Sequence, residues 1–235
     1  MEWPVQNIAK ASVWVICPAF NESTTISRVL SDLGRAQADY NIVVVDDGSN
    51  DATRRIAAAL ATTVISHPIN LGQGAALRTG IDYALSVGAD YLVTFDTDGQ
   101  HLVSDVPRLL EALDREQADF ALGSRFLKRG RDIPLSRRIL LLAATLFTTA
   151  TTGLRLTDTH NGLRAFTRRG AAALRLRQAR MAHASEILAE IARSRLRYVE
   201  VPVTISYTDY SMSKGQRAGD FVMILLDLFA QRIIR

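Results

Sequence analysis

Cysteine is almost absent from this chain: Cys17 is the one thiol in 235 residues. No disulfide framework is available, and a reducing compartment is expected. Cys17 closes the apolar run Val13-Trp14-Val15-Ile16-Cys17, so its expected role is a buried structural thiol. Aromatic residues are scarce at 7%, and the net charge is a moderate +4 with a pI near 9.5. That balance argues for an anionic membrane surface or phosphates as partners and against sequence-reading of nucleic acid. Met1-Glu2-Trp3-Pro4 lacks the charged and apolar regions of a secretory signal. The longest greasy piece, Ile139 to Leu154, carries five threonines and falls short of the roughly 20 residues that a spanning helix needs. Internal repeats are also missing. At this length one core is expected, with the whole of 1–235 as a single domain.

What is present is an alternation of strand-like and helix-like stretches. Val13 to Cys17 reads as a first buried strand, followed by Pro18-Ala19-Phe20-Asn21-Glu22-Ser23 and a helical pattern through Leu33 that Ser23 or Thr24 can cap. Glu22 then has a plain explanation in the first turn of that helix. Ile42-Val43-Val44-Val45 runs into Asp46-Asp47-Gly48-Ser49-Asn50-Asp51. Asn50 or Asp51 suffices to cap the next helix, leaving Asp46 and Asp47 over. Adjacent carboxylates repel unless a donor-rich group meets one of them, as a base edge or ribose hydroxyl would. Thr63 to Ser66 leads through Gly72-Gln73-Gly74 into a third helix, and glycines ahead of a helix let backbone N–H groups approach an anion such as a diphosphate. Such alternation predicts an α/β fold with a mostly parallel sheet covered on both faces and sites at its carboxyl edge.

The densest chemistry follows Tyr91-Leu92-Val93-Thr94-Phe95, in Asp96-Thr97-Asp98-Gly99-Gln100-His101. If the backbone stays extended, residues at i, i+2 and i+4 share a face, so Asp96, Asp98 and the Gln100 carbonyl form an oxygen claw suited to Mg²⁺ or Mn²⁺. A calcium loop is excluded, because its sixth position is His101 and its twelfth is Pro107. A lone Asp-x-Asp is commonly just a solvated turn. After Gly123-Ser124-Arg125 the character changes. Lys128, Arg129, Arg131, Arg137 and Arg138 precede the greasy stretch Ile139 to Thr152, which fits either a helix at a bilayer interface or a core helix behind a solvated basic loop. Further on, Glu186 and Glu190 share one helix face, Glu190 within reach of Arg193 or Arg197 and Glu186 able to face a cleft. The last stretch, Asp220 to Arg235, is an amphipathic pattern.

Taken together, Pro18 to Glu22, Val45 to Ser49, Asp96 to His101, Gly123 to Arg125 and Asp158-Thr159-His160-Asn161-Gly162-Leu163-Arg164-Ala165-Phe166 resemble the family 2 glycosyltransferases. Within that family the likeness is to the dolichyl- or polyprenyl-phosphate sugar synthases, and it runs from about Val13 to Lys214. The resemblance implies a GT-A fold and inverting transfer from a UDP- or GDP-sugar to a polyprenyl phosphate. By motif position it implies Pro18, Phe20, Glu22 and Asp47 at the nucleoside, and the glycine argument above adds Gly74 as a nucleotide-binding candidate. It places Asp96, Asp98 and Gln100 at the metal and diphosphate. Arg125 would meet phosphate, Lys214 falls where the family often has a basic residue in a mobile loop, and Asp158 would be a cleft carboxylate near the acceptor. Arg138, from the basic run, is expected to join Arg125 and Lys214 in offsetting the charge of the acceptor phosphate. The nucleotide-sugar half would span about 13–125 and the acceptor side about 126–217, followed by a C-terminal amphipathic helix over 218–235. Peripheral attachment at the cytoplasmic face of a membrane is expected, through the chain's own basic and greasy helices or through a small integral membrane partner. The pattern departs from the family where Tyr210-Ser211-Met212-Ser213-Lys214 lacks the Arg-x-Gly that often precedes Ser-Lys. Two other readings stay open: transfer to a soluble or glycan hydroxyl, with Asp158 as general base, and a non-catalytic subunit that only binds the nucleotide sugar. A nucleotidyltransferase is disfavoured, since no Gly-rich basic loop follows the first strand.

Overall fold

The computed structural model describes residues 10–36, 40–127, 145–146, 148–159, 161–178 and 183–206. Seven strands form one sheet in the order β3-β2-β1-β4-β6-β5-β7. The strands are β1 Val13–Ala19, β2 Tyr40–Asp46, β3 Thr63–Ser66, β4 Tyr91–Thr94, β5 Phe120–Ser124, β6 Arg164–Thr167 and β7 Tyr198–Pro202. The helices between them are α1 Ile26–Ala36, α2 Thr53–Ala58, α3 Gln73–Ser86, α4 Val106–Arg115, α5 Arg168–Ala173 and α6 His183–Ser194. β1, β2, β3 and β4 run parallel and β5 pairs with β7 in parallel, whereas β6 runs antiparallel to both β4 and β5. The expected α/β sheet is therefore present and mostly parallel. The one reversal among the described residues, β6, begins at the end of the stretch Asp158 to Phe166, which reads in sequence as a polar loop returning to apolar chain.

Each face of the sheet carries its own apolar layer. Val13, Val15, Cys17, Val93 and Ala165 point to the side covered by Val29, Leu30 and Leu33 of α1 and Leu109, Leu110 and Leu113 of α4. Ile16, Leu92, Leu122 and Phe166 point to the other side, against Leu77 and Ile81 of α3 and Ile187 and Ile191 of α6. The period-two alternation along each strand and the apolar stripe along each helix make this layering possible. Cys17 is buried, which pushes its thiol well above the usual range, in keeping with a packing role.

One feature of the sheet sets the position of the site. β1 pairs with β2 along its whole length, up to Ala19 opposite Asp46, but with β4 only as far as Ile16 opposite Thr94. Past that point β1 and β4 diverge and leave a fork where the strand order reverses, the usual place for a ligand in an open α/β sheet. Pro18 sits inside this central strand without breaking a ladder. Its carbonyl faces β4, where it accepts from the Thr97 hydroxyl at 2.9 Å, and the amide it lacks would face a ladder that has already ended.

Candidate active site

The loops after β1 and β2 are bolted together. Asn21 N–H donates to Ser49 Oγ at 3.0 Å, Glu22 N–H to Thr53 Oγ1 at 2.8 Å, and Ser23 N–H to Asp51 Oδ2 at 3.1 Å. In return Asn50 N–H donates to Asn21 Oδ1 at 2.9 Å, a geometry reached because Asn21 adopts a left-handed backbone at φ 53°. Two expectations change here. Ser23 bridges to Asp51 instead of capping α1, and Glu22 lies four residues before the helix begins at Ile26, so first-turn dipole chemistry does not account for it. Its carboxylate accepts from the Thr25 hydroxyl at 3.0 Å and raises the acidity threshold of Asp98 through space. Phe20, 39% exposed, stands on the rim of the same loop.

Asp47 does meet donors, and they belong to the protein. Its two oxygens accept from Leu71 N–H at 3.0 Å and Gly72 N–H at 2.7 Å, and His67 Nδ1 lies 2.7 Å away. The side chain is buried. No base or ribose is needed to supply these donors: the carboxylate moors the loop 67–72 that leads into α3. Gly74 is buried within the first turn of α3, and Gln73, at the helix start, extends its amide to Asp96 Oδ1 at 2.9 Å.

Asp96 and Asp98 lie close enough to repel each other, but strand pleating does not bring them there. Beyond Thr94 the chain turns: Asp98 accepts from Gln100 N–H at 2.9 Å, and Gly99 adopts φ 77°. Extended-chain periodicity does not apply there, and it is the turn that brings the carboxylates together. Asp96 is held on several sides, by Gln73, by His101 Nε2 at 3.1 Å, and by Gly162, where a Cβ would lie 2.9 Å from the Asp96 Cγ. Burial pushes the Asp96 carboxyl up, but the His101 contact and the charges of His101, His183 and Arg164 outweigh it and hold the group below the usual carboxylate range. Asp98 behaves in the opposite way. Burial, with the negative charges of Asp96 and Glu22, pushes it up to about 6 against the Gln100 N–H and His101. A half-buried carboxylate crowded by two others is short of a cation. No group of three His, Cys, Asp or Glu side chains able to hold a metal is present among the described residues; the residues that could hold a cation here are Asp96, Asp98 and Gln100. That suits a hard ion bound by few protein groups.

Across the fork, Arg125 and Asp158 are partners of each other. Arg125 Nε and Nη2 reach the two oxygens of Asp158 at 2.7 and 2.9 Å, and Arg125 N–H adds a third contact at 3.1 Å. Glu200 on β7 secures the same loop by accepting from Thr157 N–H at 2.8 Å and Asp158 N–H at 3.1 Å. Asp158, with no exposed side chain, is therefore the anchor of Arg125. Glu186 does not face the cleft. It accepts from Arg177 and Gln178 N–H at 2.9 and 2.8 Å, while Glu190 pairs with Arg193 at 2.6 Å as expected.

A family model described as "Glycosyl transferase family 2" matches residues 14–175. The chain belongs to this family. A UDP-N-acetylglucosamine–dolichyl-phosphate N-acetylglucosaminyltransferase of Methanococcus voltae is 33% identical over 88% of this chain and 91% of that protein. An undecaprenyl-phosphate mannosyltransferase of Micrococcus luteus is 32% identical over 89% of each. Among solved structures, glucosyl-3-phosphoglycerate synthase from Mycobacterium tuberculosis, in complex with Mn²⁺ and UDP-glucose, superposes with a TM-score of 0.68. It is 22% identical to this chain, over 98% of this chain and 82% of that one, a likeness of fold.

In this family 2 glycosyltransferase Glu22, Asp96 and Asp98 act on one another at the fork, while Arg125, just past β5, pairs with Asp158 of the loop before β6. Arg138 and Lys214 lie outside the described residues, as do the basic run at 128–138 and the C-terminal amphipathic stretch. No helix among the described residues is long and apolar enough to cross a membrane. Sequence reasoning missed Gln73, His101, His183 and Arg164. Gln73 between two glycines and His101 at the end of the acidic turn were in plain view by position. The approach of β6 and α6 to Asp96 depends on the antiparallel reversal, for which no local pattern speaks.

Proposed function

We propose that this chain moves a glycosyl unit from a nucleotide sugar to a polyprenyl phosphate with inversion, aided by Mg²⁺ or Mn²⁺. The observation that carries the reading is the crowding of Asp98 by Asp96 and Glu22 at the strand fork, where Asp98 is pushed up to about 6. The near full-length likeness to enzymes named for dolichyl and undecaprenyl phosphate supports the lipid acceptor. Asp98 and Gln100 would hold the cation, whose charge offsets that of the departing diphosphate. Asp96 orients the turn and Asp47 fixes the loop 67–72 beside it, with Phe20, Pro18, Glu22 and Gly74 lining the nucleotide side. A lipid phosphate is already an anion and attacks without surrendering a proton, so no general base is required. That agrees with Asp158 being buried against Arg125, which it aims toward the acceptor phosphate. Arg138 and Lys214 would add charge from the acceptor side, and attachment would be peripheral, on the cytoplasmic face of a membrane.

The test is transfer from a panel of UDP- and GDP-sugars to polyprenyl phosphate by the purified chain. Asp98→Ala is expected to lower transfer at least a hundredfold, on the order of an electrostatic transition-state contact, while circular dichroism stays unchanged. Full activity in that variant removes the metal role, and no transfer from any donor by the wild type removes the reading.

A further inference from the structure

Arg164 opens β6, with Thr94 of β4 opposite it on one side and Leu122 of β5 on the other. Asp96 follows Thr94 by two residues, and Arg125 with its partner Asp158 lies just past the end of β5. Arg164 thus stands between the two strand ends that carry the site's carboxylates, and it is only 4% exposed. Strand alternation puts it on the face shared with Phe166, the side from which His183 of α6 acts on Asp96.

A guanidinium has five N–H donors in a fixed fork. Among the described residues the Arg164 guanidinium forms no ion pair and no hydrogen bond, although it feels Asp96 and Asp158 through space. Neither carboxylate turns to it. Asp96 is engaged by Gln73 and His101, and Asp158 by Arg125. A buried charge without an acceptor is costly, and native proteins rarely keep one. Its neighbour Asn161, also 4% exposed, has an Nδ2 buried without an acceptor among the described residues. This part of the site is rich in donors and short of acceptors.

We propose that Arg164 binds an anionic phosphoryl oxygen of the substrate, which completes the arrangement between Asp96 and Asp158. Forked guanidinium contacts suit phosphoryl oxygens better than a point charge does. The donor's diphosphate and the lipid's monophosphate share this chemistry. The inference rests on the sugar-transfer reading for its substrates, and on burial and strand register for its location.

The experiment uses the full chain with Arg164→Met, which removes the charge, and Arg164→Lys, which keeps the charge and loses the fork. Binding of whichever of UDP or GDP the wild type takes up with Mn²⁺ is titrated beside the matching uncharged nucleoside, and KM is measured for farnesyl phosphate. Arg164→Met is expected to weaken one of the two phosphate ligands by about ten- to a hundredfold, the range of a hydrogen bond to a charged group, with nucleoside binding unchanged. Loss confined to the nucleoside diphosphate assigns the contact to the donor, and loss confined to farnesyl phosphate assigns it to the acceptor. A folded Arg164→Met protein with both constants within about twofold of wild type overturns the proposal, as does an equal loss of nucleoside binding. Should Arg164→Met not fold, Arg164→Lys decides: a rise of about threefold or more in either constant supports the contact, and a smaller change in both overturns it. A wild type that binds nucleoside diphosphate but transfers nothing to farnesyl phosphate would sink the lipid-acceptor reading, and the nucleotide titration would still judge Arg164.

Discussion

Gly162→Ala asks whether the position of Asp96 is set by a single missing methyl group. A Cβ at residue 162 would lie 2.9 Å from Asp96 Cγ and 3.1 Å from Oδ1, and closer still to Oδ2. Carbon atoms rest about 3.5–4.0 Å apart, so the carboxylate must retreat by roughly 1 Å. That movement stretches the contacts with Gln73 at 2.9 Å and His101 at 3.1 Å beyond hydrogen-bond range. Hydrogen bonds to a charged group are worth about 1.5–3 kcal/mol each, of which water recovers part, giving an expected loss of about 3 kcal/mol. For a chain of this size that lowers Tm by roughly 6–12 °C. A misplacement of about 1 Å in a reacting constellation lowers kcat by roughly a hundredfold. Thermal unfolding with steady-state transfer kinetics reads both effects. Gly34→Ala, on α1 with nothing within 4 Å of the added Cβ, is the control, expected to be neutral or stabilising by a few tenths of a kcal/mol. If Gly162→Ala matches wild type in Tm and kcat, Asp96 is not wedged and the packing account is wrong.

Two further outcomes follow from the same geometry. Asp98 is raised from the usual carboxylate value to about 6, so between about pH 4 and 6 the folded state holds a proton that the unfolded chain has released. Its contribution to stability is therefore present at low pH and lost as pH rises through that window, by about 2 kcal/mol after solvent screening. Asp98→Asn should then stabilise the apo protein at pH 7.5 and have little effect at pH 4, with Mn²⁺ narrowing the gap at pH 7.5. Melting curves showing the same increment at both pH values contradict this. Asp47→Ala leaves the Leu71 and Gly72 amides without their carboxylate, at a cost of about 3 kcal/mol. It should raise donor KM more than it lowers kcat, and a normal KM with a normal Tm would contradict the mooring role.

How much of this was legible in advance depends on the range of the interaction. Apolar runs such as Ile42 to Val45 and Tyr91 to Thr94 announce buried strands by composition alone, and each became one. Residue spacing brings Asp96 and Asp98 to one side by strand pleating, whereas in the structure the chain turns at Gly99. Asp47 was correctly marked as needing donors. Their source, Leu71 and Gly72 some 24 residues later in the chain, depends on β3 docking beside β2, which residue spacing does not encode. Arg164 looked like an ordinary member of a motif until β6 inserted between β4 and β5, and Arg125 and Asp158 looked like separate actors until the same insertion brought them together.

That insertion also ties the two halves of the chain into one folding unit. β6 comes from the chain beyond Arg125 yet covers the edge of β4, the last strand of the parallel block β1 to β4. A fragment ending near Arg125 would expose that edge, and its unpaired N–H and C=O groups would invite pairing with other chains. The parallel block is therefore not a detachable module, and a splice or deletion between residues 126 and 163 that misplaces β6 threatens solubility before it touches chemistry.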